Sequence, residues 1–205
     1  QSAYLDPHNY NLSRKNTNDI NRLINILNYQ ANKNPDHAYV VHQRNVYHNV
    51  PLWVLINTLT YGQISKLYTL LPFQMQSSIS KNFPHVKEKP LEQYLKVLTL
   101  FRNVCAHNER LFSFRTQIDF PDTKLHDKLS IPQKGTQYIC GKKDLFGVVI
   151  AFRYLLPADS FLDFKRSLIK LLHTYHKQSS QLDEPTLLVM MGFPSNWTSI
   201  TRYSL

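Results

Sequence analysis

Apolar residues that recur with the period of an α-helix, in runs separated by prolines, restrict the fold of this chain more than any other feature. The longest run follows Pro90, and its apolar positions lie three or four residues apart: Leu91, Tyr94, Leu95, Leu98 and Phe101. This spacing places one apolar stripe along one side of a helix. Similar runs recur from Pro51 to the C-terminal region. The sequence therefore predicts an all-α fold, a bundle of about five or six helices.

Two regions lack this pattern. Residues 1–49 are polar, with one amphipathic segment after Asn18-Asp19 and an extended stretch expected at Tyr39-Val40-Val41. They are predicted to form an irregular N-terminal arm with a short helix, a remnant of a longer region, ahead of a helical domain over residues 50–205. Prolines and glycines punctuate residues 116–143, which predicts a long loop with a small hairpin.

Composition narrows the functional classes. The net charge is +10, divided equally between residues 1–100 and 101–205, and such a diffuse positive field attracts polyanions such as nucleic acid. The five glycines are too scattered for a phosphate-binding loop, and two cysteines do not form a disulfide framework. The sequence has neither an apolar span of membrane length nor an apolar N-terminal signal, so a cytoplasmic location is expected.

The strongest candidate site is Arg102-Asn103-Val104-Cys105-Ala106-His107, near the end of the helix that follows Pro90. On a helix, Asn103 and His107 lie about 40° apart, and Arg102 lies about 100° from Asn103. An arginine binds phosphate oxygens and an imidazole transfers protons near neutral pH. Those groups suit a phosphodiester site that needs no metal or other cofactor. The alternative is structural: Arg102 as a solvated charge and His107 as a partner of the helix dipole.

Other reactive side chains give weaker signals. Cys105 is expected to pack on the core side of the helix rather than to act as a nucleophile. His173 and His176 are spaced for one helical face, but few carboxylates and no cysteine lie nearby in sequence to complete a metal site. No metal site is predicted.

The segment 100–111, Leu-Phe-Arg-Asn-Val-Cys-Ala-His-Asn-Glu-Arg-Leu, resembles the signature of the Abi-like (abortive infection) bacterial phage-resistance proteins of the HEPN superfamily. Segments 51–53, 61–68 and 191–197 resemble other motifs of that family, in the same order, so the resemblance covers about residues 50–197. It implies an all-α HEPN domain, typically a homodimer, with two facing R-x4-6-H motifs that form a metal-independent endoribonuclease site.

Carried over residue by residue, the resemblance implies that Arg102 and His107 are the catalytic pair and that Asn103 is the polar residue after the arginine. Members commonly have a second histidine and a tryptophan at the positions that here hold Asn108 and Phe112, so any role of that histidine is absent. The expected function is a toxin-type phage-defence effector that cleaves RNA. An RNA or protein antitoxin is a further expected partner, and no membrane is involved.

Four more cations are candidates for binding the RNA backbone: Arg110, Arg115, Lys142 and Lys143. Three rival functions remain open: a HEPN module that binds RNA or a nucleotide without cleaving it, an antitoxin that is the target of nucleotide transfer, and a helical protein adaptor. The second rival requires a tyrosine two residues after the motif histidine, where this chain has Glu109.

Overall fold

Helices make up most of the chain in the computed structural model, which describes residues 1–13, 16–178 and 182–205. This confirms the all-α class that the apolar periodicity predicts. Contacts among the described residues form two compact units, Gln1–Ser80 and Lys81–Leu205. The domain boundary predicted between residues 49 and 50 stays a prediction. No helix in the described parts of the chain combines the length and the apolar character needed to cross a membrane.

The described residues of the first unit are mostly helical. Its helices are α1 (Ser2–Leu5), α2 (Thr17–Asn32), α3 (Ala38–Tyr47), α4 (Leu52–Leu55), α5 (Tyr61–Leu70) and α6 (Phe73–Ser80), with 3₁₀ turns at Pro7–Asn9 and Ile56–Thr58. As predicted, α2 buries one apolar stripe, which includes Ile20, Leu23 and Leu27. These side chains pack in one cluster with buried residues of α3, α4 and α5.

The N-terminal region is more regular than the irregular arm that the sequence predicts. Tyr39-Val40-Val41 lies inside α3, so the extended stretch predicted there is wrong. The reason is tertiary, because Val40 is buried in the apolar cluster, where a helix places it on one face. Tyr4 is buried as well, and its hydroxyl donates a hydrogen bond of 2.8 Å to the carbonyl oxygen of Val50.

The second unit contains the two longest helices of the described residues. Its elements are α7 (Glu88–Ala106), α8 (Lys124–Lys128), β1 (Gln133–Lys134), β2 (Gln137–Tyr138), α9 (Leu145–Leu155), α10 (Ala158–Gln178) and α11 (Glu184–Met191), with a 3₁₀ segment at Trp197–Arg202. The two strands pair antiparallel, with Gln133 opposite Tyr138. The small hairpin expected within residues 116–143 is therefore present, and α8 is a short helix that the sequence analysis did not predict.

Aromatic side chains anchor α7 inside this unit. The ring of Tyr94 lies 6.2 Å from that of Tyr154 in α9, between ring centroids. One residue before the motif arginine, Phe101 stacks on Phe120 at 5.9 Å and meets Phe114 edge to face at 5.2 Å. Such pairs add to the free energy of burial and have a preferred geometry. They hold the last turns of α7 in a fixed orientation.

Candidate functional site

The last turn of α7 separates the motif residues into a buried and an exposed group. Phe101 and Val104 are buried, as are Leu91, Tyr94, Val97 and Leu98 at the earlier turns. Arg102, Asn103 and His107 are exposed. Because the buried stripe fixes the rotation of the helix, the three polar side chains of the motif must point away from the core.

The chain turns sharply after the motif, and Asn108 accounts for the turn. Its φ of 54° is left-handed, a region that asparagine tolerates better than most residues. The N–H of Glu109 donates to the carbonyl oxygen of Val104 at 3.0 Å, and the N–H of Asn108 donates to that of Cys105 at 3.3 Å. These two bonds form a Schellman motif, which satisfies carbonyl groups that the helix end leaves unpaired. The helix therefore ends at Ala106, and the exposed His107 is its C-cap residue.

Asn103 connects the two proposed catalytic residues. Its Oδ1 accepts a long hydrogen bond of 3.4 Å from Nη1 of Arg102, and its carbonyl oxygen accepts one of 3.0 Å from the backbone N–H of His107. The first contact draws the guanidinium towards the side of the helix that carries Asn103 and, one turn later, His107. Among the described residues, the imidazole of His107 has no hydrogen-bond or ion-pair partner. Both groups are available to a ligand from solvent.

The position of Cys105 differs from the prediction. The sequence analysis placed it on the core side of α7, but its side chain is exposed. Only Val104 of the residues between Asn103 and His107 is buried, because the helix ends here and its last turn projects beyond the core. The helical period predicts the direction in which a side chain leaves the helix. Whether that side chain is buried also depends on how far along the helix its packed neighbours extend.

Two of the predicted RNA-binding residues follow the motif closely. Arg110 is exposed, and its guanidinium carbon lies 5.9 Å from the ring centroid of Phe112, a loose cation–π contact. Arg115 is also exposed, yet its guanidinium donates to two carbonyl oxygens, those of Phe114 at 3.0 Å and Met190 at 2.8 Å. Arg110 therefore remains free to reach a phosphate, whereas Arg115 ties the loop after α7 to the end of α11.

The other two predicted RNA-binding residues lie in a segment that is bonded to residues 116–120. Lys142 is only 8% exposed. Its ammonium group binds Oδ1 of Asp122 at 2.5 Å and also the carbonyl oxygen of Phe120. Lys143 is half exposed and lies 3.4 Å from the carboxylate of Asp119. Lys142 has almost no exposed surface to offer an RNA, so we leave it out of the proposed binding surface. Lys143 is exposed and its pair with Asp119 is long, so it keeps a surface that an RNA could reach.

Buried polar groups beside Lys142 were not singled out by the sequence analysis. Asp144 caps α9, and its Oδ1 accepts from the N–H groups of Gly141 at 3.0 Å and Gly147 at 3.1 Å. Burial raises the pKa of Asp144 to about 6, although these hydrogen bonds and Arg115 act in the opposite direction. The aspartate before an apolar run is the helix-start signal that predicts this cap.

His126 is the second member of this buried group. Its Nδ1 accepts from the N–H of Thr123 at 3.2 Å, so Nε2 carries the proton and donates to the carbonyl oxygen of Gly141, also at 3.2 Å. Its ring stacks on that of Tyr138 with centroids 4.6 Å apart. Burial lowers the pKa of His126. Because the imidazole is enclosed and both of its nitrogens are hydrogen-bonded inside the protein, His126 stabilises the fold. Nothing in the sequence around it distinguishes it from the exposed histidines.

No metal-binding cluster coincides with the motif in the described part of the chain. Within residues 1–13, 16–178 and 182–205, no group of three or more histidine, cysteine and acidic side chains is arranged to hold a metal ion. A cavity of about 380 Å³ in the second unit is lined in part by Phe83, His85 and Arg153, and the motif residues do not line it. Because Arg102, Asn103 and His107 are exposed, the candidate site is a solvent-accessible surface at the end of α7.

Comparison with known proteins gives one match. The profile of the protein family described as Abi-like protein matches residues 1–113, slightly more than half of the chain. The match includes the motif and the first 49 residues, and it ends before the segment 191–197 that also resembles the family. Comparisons with curated proteins and with solved structures give no significant match. The extent of the family match settles one question that the motif alone left open: the chain belongs to the Abi-like protein family.

Proposed function

We propose that this protein is a metal-independent endoribonuclease of the HEPN type that acts as an abortive-infection effector in the bacterial cytoplasm. One observation carries the proposal: Arg102, Asn103 and His107 are exposed together on the last turn of α7, and the imidazole has no partner among the described residues. Membership of the Abi-like family suggests a part in phage defence. The net charge of +10 favours an anionic substrate such as RNA.

The reaction needs no protein nucleophile, because RNA carries one. The 2′-oxygen of a ribose attacks the adjacent phosphorus while a base removes its proton. The bond from phosphorus to the 5′-oxygen of the next nucleotide breaks, and an acid gives a proton to that oxygen. The products are a 2′,3′-cyclic phosphate and a free 5′-hydroxyl. His107 supplies a group that can take or give the proton, and Arg102 supplies charge to the phosphate oxygens as their negative charge grows.

A dimer gives this mechanism its second proton-transfer group. Base and acid must act on opposite sides of the phosphorus, and one imidazole does not reach both. Arg102 and His107 also lie about 140° apart around the axis of α7, with Asn103 between them. Two copies that face each other through the ends of α7 would bring two arginines and two histidines to one phosphodiester. We therefore propose a homodimer with a composite site, held inactive by an RNA or protein antitoxin.

Cleavage of RNA in EDTA tests the proposal. Wild-type protein is expected to produce 2′,3′-cyclic phosphate ends from RNA and to leave DNA intact, since DNA lacks the attacking hydroxyl. His107→Ala removes the proton-transfer group and is expected to lower the rate by roughly 10²- to 10⁴-fold. Arg102→Ala is expected to lower it by a similar factor, because it removes charge stabilisation of the transition state.

The matched control is His42→Ala, which removes an exposed histidine from α3 in the first unit. It is expected to cleave like wild type. Cleavage that survives in His107→Ala would place the activity elsewhere and contradict the proposal. Binding of RNA by wild type without any product would favour the rival function, a HEPN module that binds RNA and does not cut it.

A further inference from the structure

Helix α10 carries several cations over a stretch that no acidic residue interrupts. From residue 164 to residue 178 the sequence has four arginine and lysine residues and no aspartate or glutamate: Lys165, Arg166, Lys170 and Lys177. His173 and His176 lie in the same stretch. This stretch therefore adds a local positive field to the diffuse charge of the protein.

Helical geometry arranges most of these side chains in one line. Arg166, Lys170, His173 and Lys177 fall within about 60° of one another around the axis of α10. All four are exposed. The first and last members of this line are 11 positions apart in the sequence, so the line spans about 16 Å along the helix. We call this set, Arg166, Lys170, His173 and Lys177, the α10 basic stripe.

The opposite face of α10 packs into the second unit. Phe161 and Leu172 are buried there, and Phe164 meets Phe152 of α9 edge to face at 5.0 Å. Lys165, which lies outside the stripe, donates to the carbonyl oxygen of Thr198 at 2.5 Å and to the hydroxyl of Thr201 at 2.8 Å. Lys165 therefore has its hydrogen-bond partners inside the protein. The helix is held with its basic stripe turned to solvent.

Acidic side chains neutralise little of the charge of the α10 basic stripe. Arg166 pairs with Asp163 at 3.0 Å, at the N-terminal end of the stripe, where both side chains are about three-quarters exposed. Lys170 and Lys177 form no ion pair with any described residue. Solvated cations such as Lys170 and Lys177, and an exposed pair such as Arg166–Asp163, raise the local concentration of an extended anion more than they stabilise the fold.

We infer that the α10 basic stripe binds the phosphate backbone of a single-stranded RNA. The inference rests on the proposed function for the choice of RNA as the anion. A row of regularly spaced cations fits a repeating phosphate chain, and such contacts position a nucleic acid without reading its bases. An anionic membrane is disfavoured, because helices that lie on membranes insert an apolar face, and the apolar face of α10 is buried in the protein.

The test replaces Arg166, Lys170 and Lys177 together with glutamine, a good helix former, and measures binding without turnover. Every protein in the test carries His107→Ala, so that the RNA stays intact. The probe is a fluorescein-labelled single strand of about 20 nucleotides, titrated at several salt concentrations. The triple variant is expected to bind roughly 10- to 50-fold more weakly near 0.15 M salt, and the slope of log K against log salt is expected to fall by about 2.

The control removes the same charge from another exposed place in the same unit: Lys81→Gln, Lys87→Gln and Lys89→Gln, before and at the start of α7. It is expected to change the dissociation constant by less than about threefold. An equal loss in this control would show that only net charge matters, and an unchanged affinity in the α10 variant would show that the stripe is not used. Either result overturns the inference. Binding to anionic vesicles but not to RNA by the protein with an unchanged α10 would also overturn it.

These outcomes are independent of catalysis. If the protein with His107 intact proves unable to cut RNA, a loss of binding in the α10 variant still supports the stripe and contradicts only the ribonuclease. If the protein with His107 intact cuts RNA and the α10 variant in the His107→Ala background binds normally, the ribonuclease stands and the stripe is wrong. Thermal unfolding followed by circular dichroism verifies that the triple variant is folded.

Discussion

Two polar regions of the second unit carry similar residues and use them differently. At the end of α7, Arg102, Asn103 and His107 face solvent, and their contacts are few and long. Around Gly141, the polar side chains of Lys142, Asp144 and His126 are buried, and each has hydrogen bonds to backbone or side-chain partners inside the protein. The first region is open to a ligand, and the second stabilises the fold.

The difference shows that charge in a sequence does not by itself indicate a binding surface. In the sequence, Lys142-Lys143 and Arg102 look alike, because both are basic and each is followed by a polar residue, Asp144 or Asn103. The lysine segment is bonded along residues 116–120, where Thr116 and Phe120 donate their N–H groups to the carbonyl oxygens of Lys143 and Lys142 at 2.9 and 2.7 Å. The motif ends a helix whose core contacts stop at Val104, so its polar side chains have nothing to pack against.

The largest effect expected in the buried region is a pH dependence that comes from Asp144. Its pKa of about 6 in the folded protein exceeds the ordinary value of 3.8, so the folded state holds this proton more tightly than the unfolded state does. The free energy of unfolding therefore falls as the pH rises from about 4 to about 6, by about 3 kcal/mol in total. Asp144→Asn keeps an N-cap oxygen and removes the titration.

Urea unfolding of both proteins across this pH range measures the effect. The stability of Asp144→Asn relative to wild type is expected to increase by about 3 kcal/mol between pH 4 and pH 7. Parallel curves for the two proteins would mean that Asp144 is not buried as described. RNA cleavage by the folded variant is expected to match wild type, because Asp144 belongs to the structural region.

Removing the ammonium of Lys142 is expected to have the next largest effect. Lys142→Met keeps most of the length of the side chain and leaves the buried carbonyl oxygen of Phe120 without its donor. The expected loss is about 1–3 kcal/mol in the free energy of unfolding. Lys143→Met is the neighbouring control, since its exposed pair with Asp119 is worth less than about 1 kcal/mol. Comparable losses in the two variants would contradict the distinction between the buried and the exposed lysine.

The smallest effect concerns the turn that ends α7. Asn108 has a φ of 54°, so Asn108→Ala is expected to lower the free energy of unfolding by about 1 kcal/mol, and Asn108→Gly by less, because glycine adopts this conformation without strain. Asn108→Gly is also expected to retain cleavage within about twofold of wild type, since it keeps the position of His107. A large loss of cleavage in Asn108→Gly would instead assign the asparagine side chain a part in the reaction.

Most helices of the second unit were predictable, because their signals are local. Pro90 and the stripe from Leu91 to Phe101 mark α7, and Gly192, with a φ of 80°, is the left-handed residue that ends α11. The run that begins at Pro51 has a helical period, but the period does not show that the run contains two helices, α4 and α5. Thr60 caps the second of them and forms a capping box with Gln63, whereas Trp53 in the first is 72% exposed.

The sequence by itself determined the helical class, the position of α7 and the order Arg102, Asn103, His107 on its last turn, since these depend on spacing along the chain. Only the tertiary structure decided which cations are free. Lys142 is internal and Lys170 is exposed, yet both are lysines near apolar residues. The physical reason is that burial depends on neighbours distant in sequence, such as Phe120 and Asp122 for Lys142, and periodicity carries no information about those neighbours.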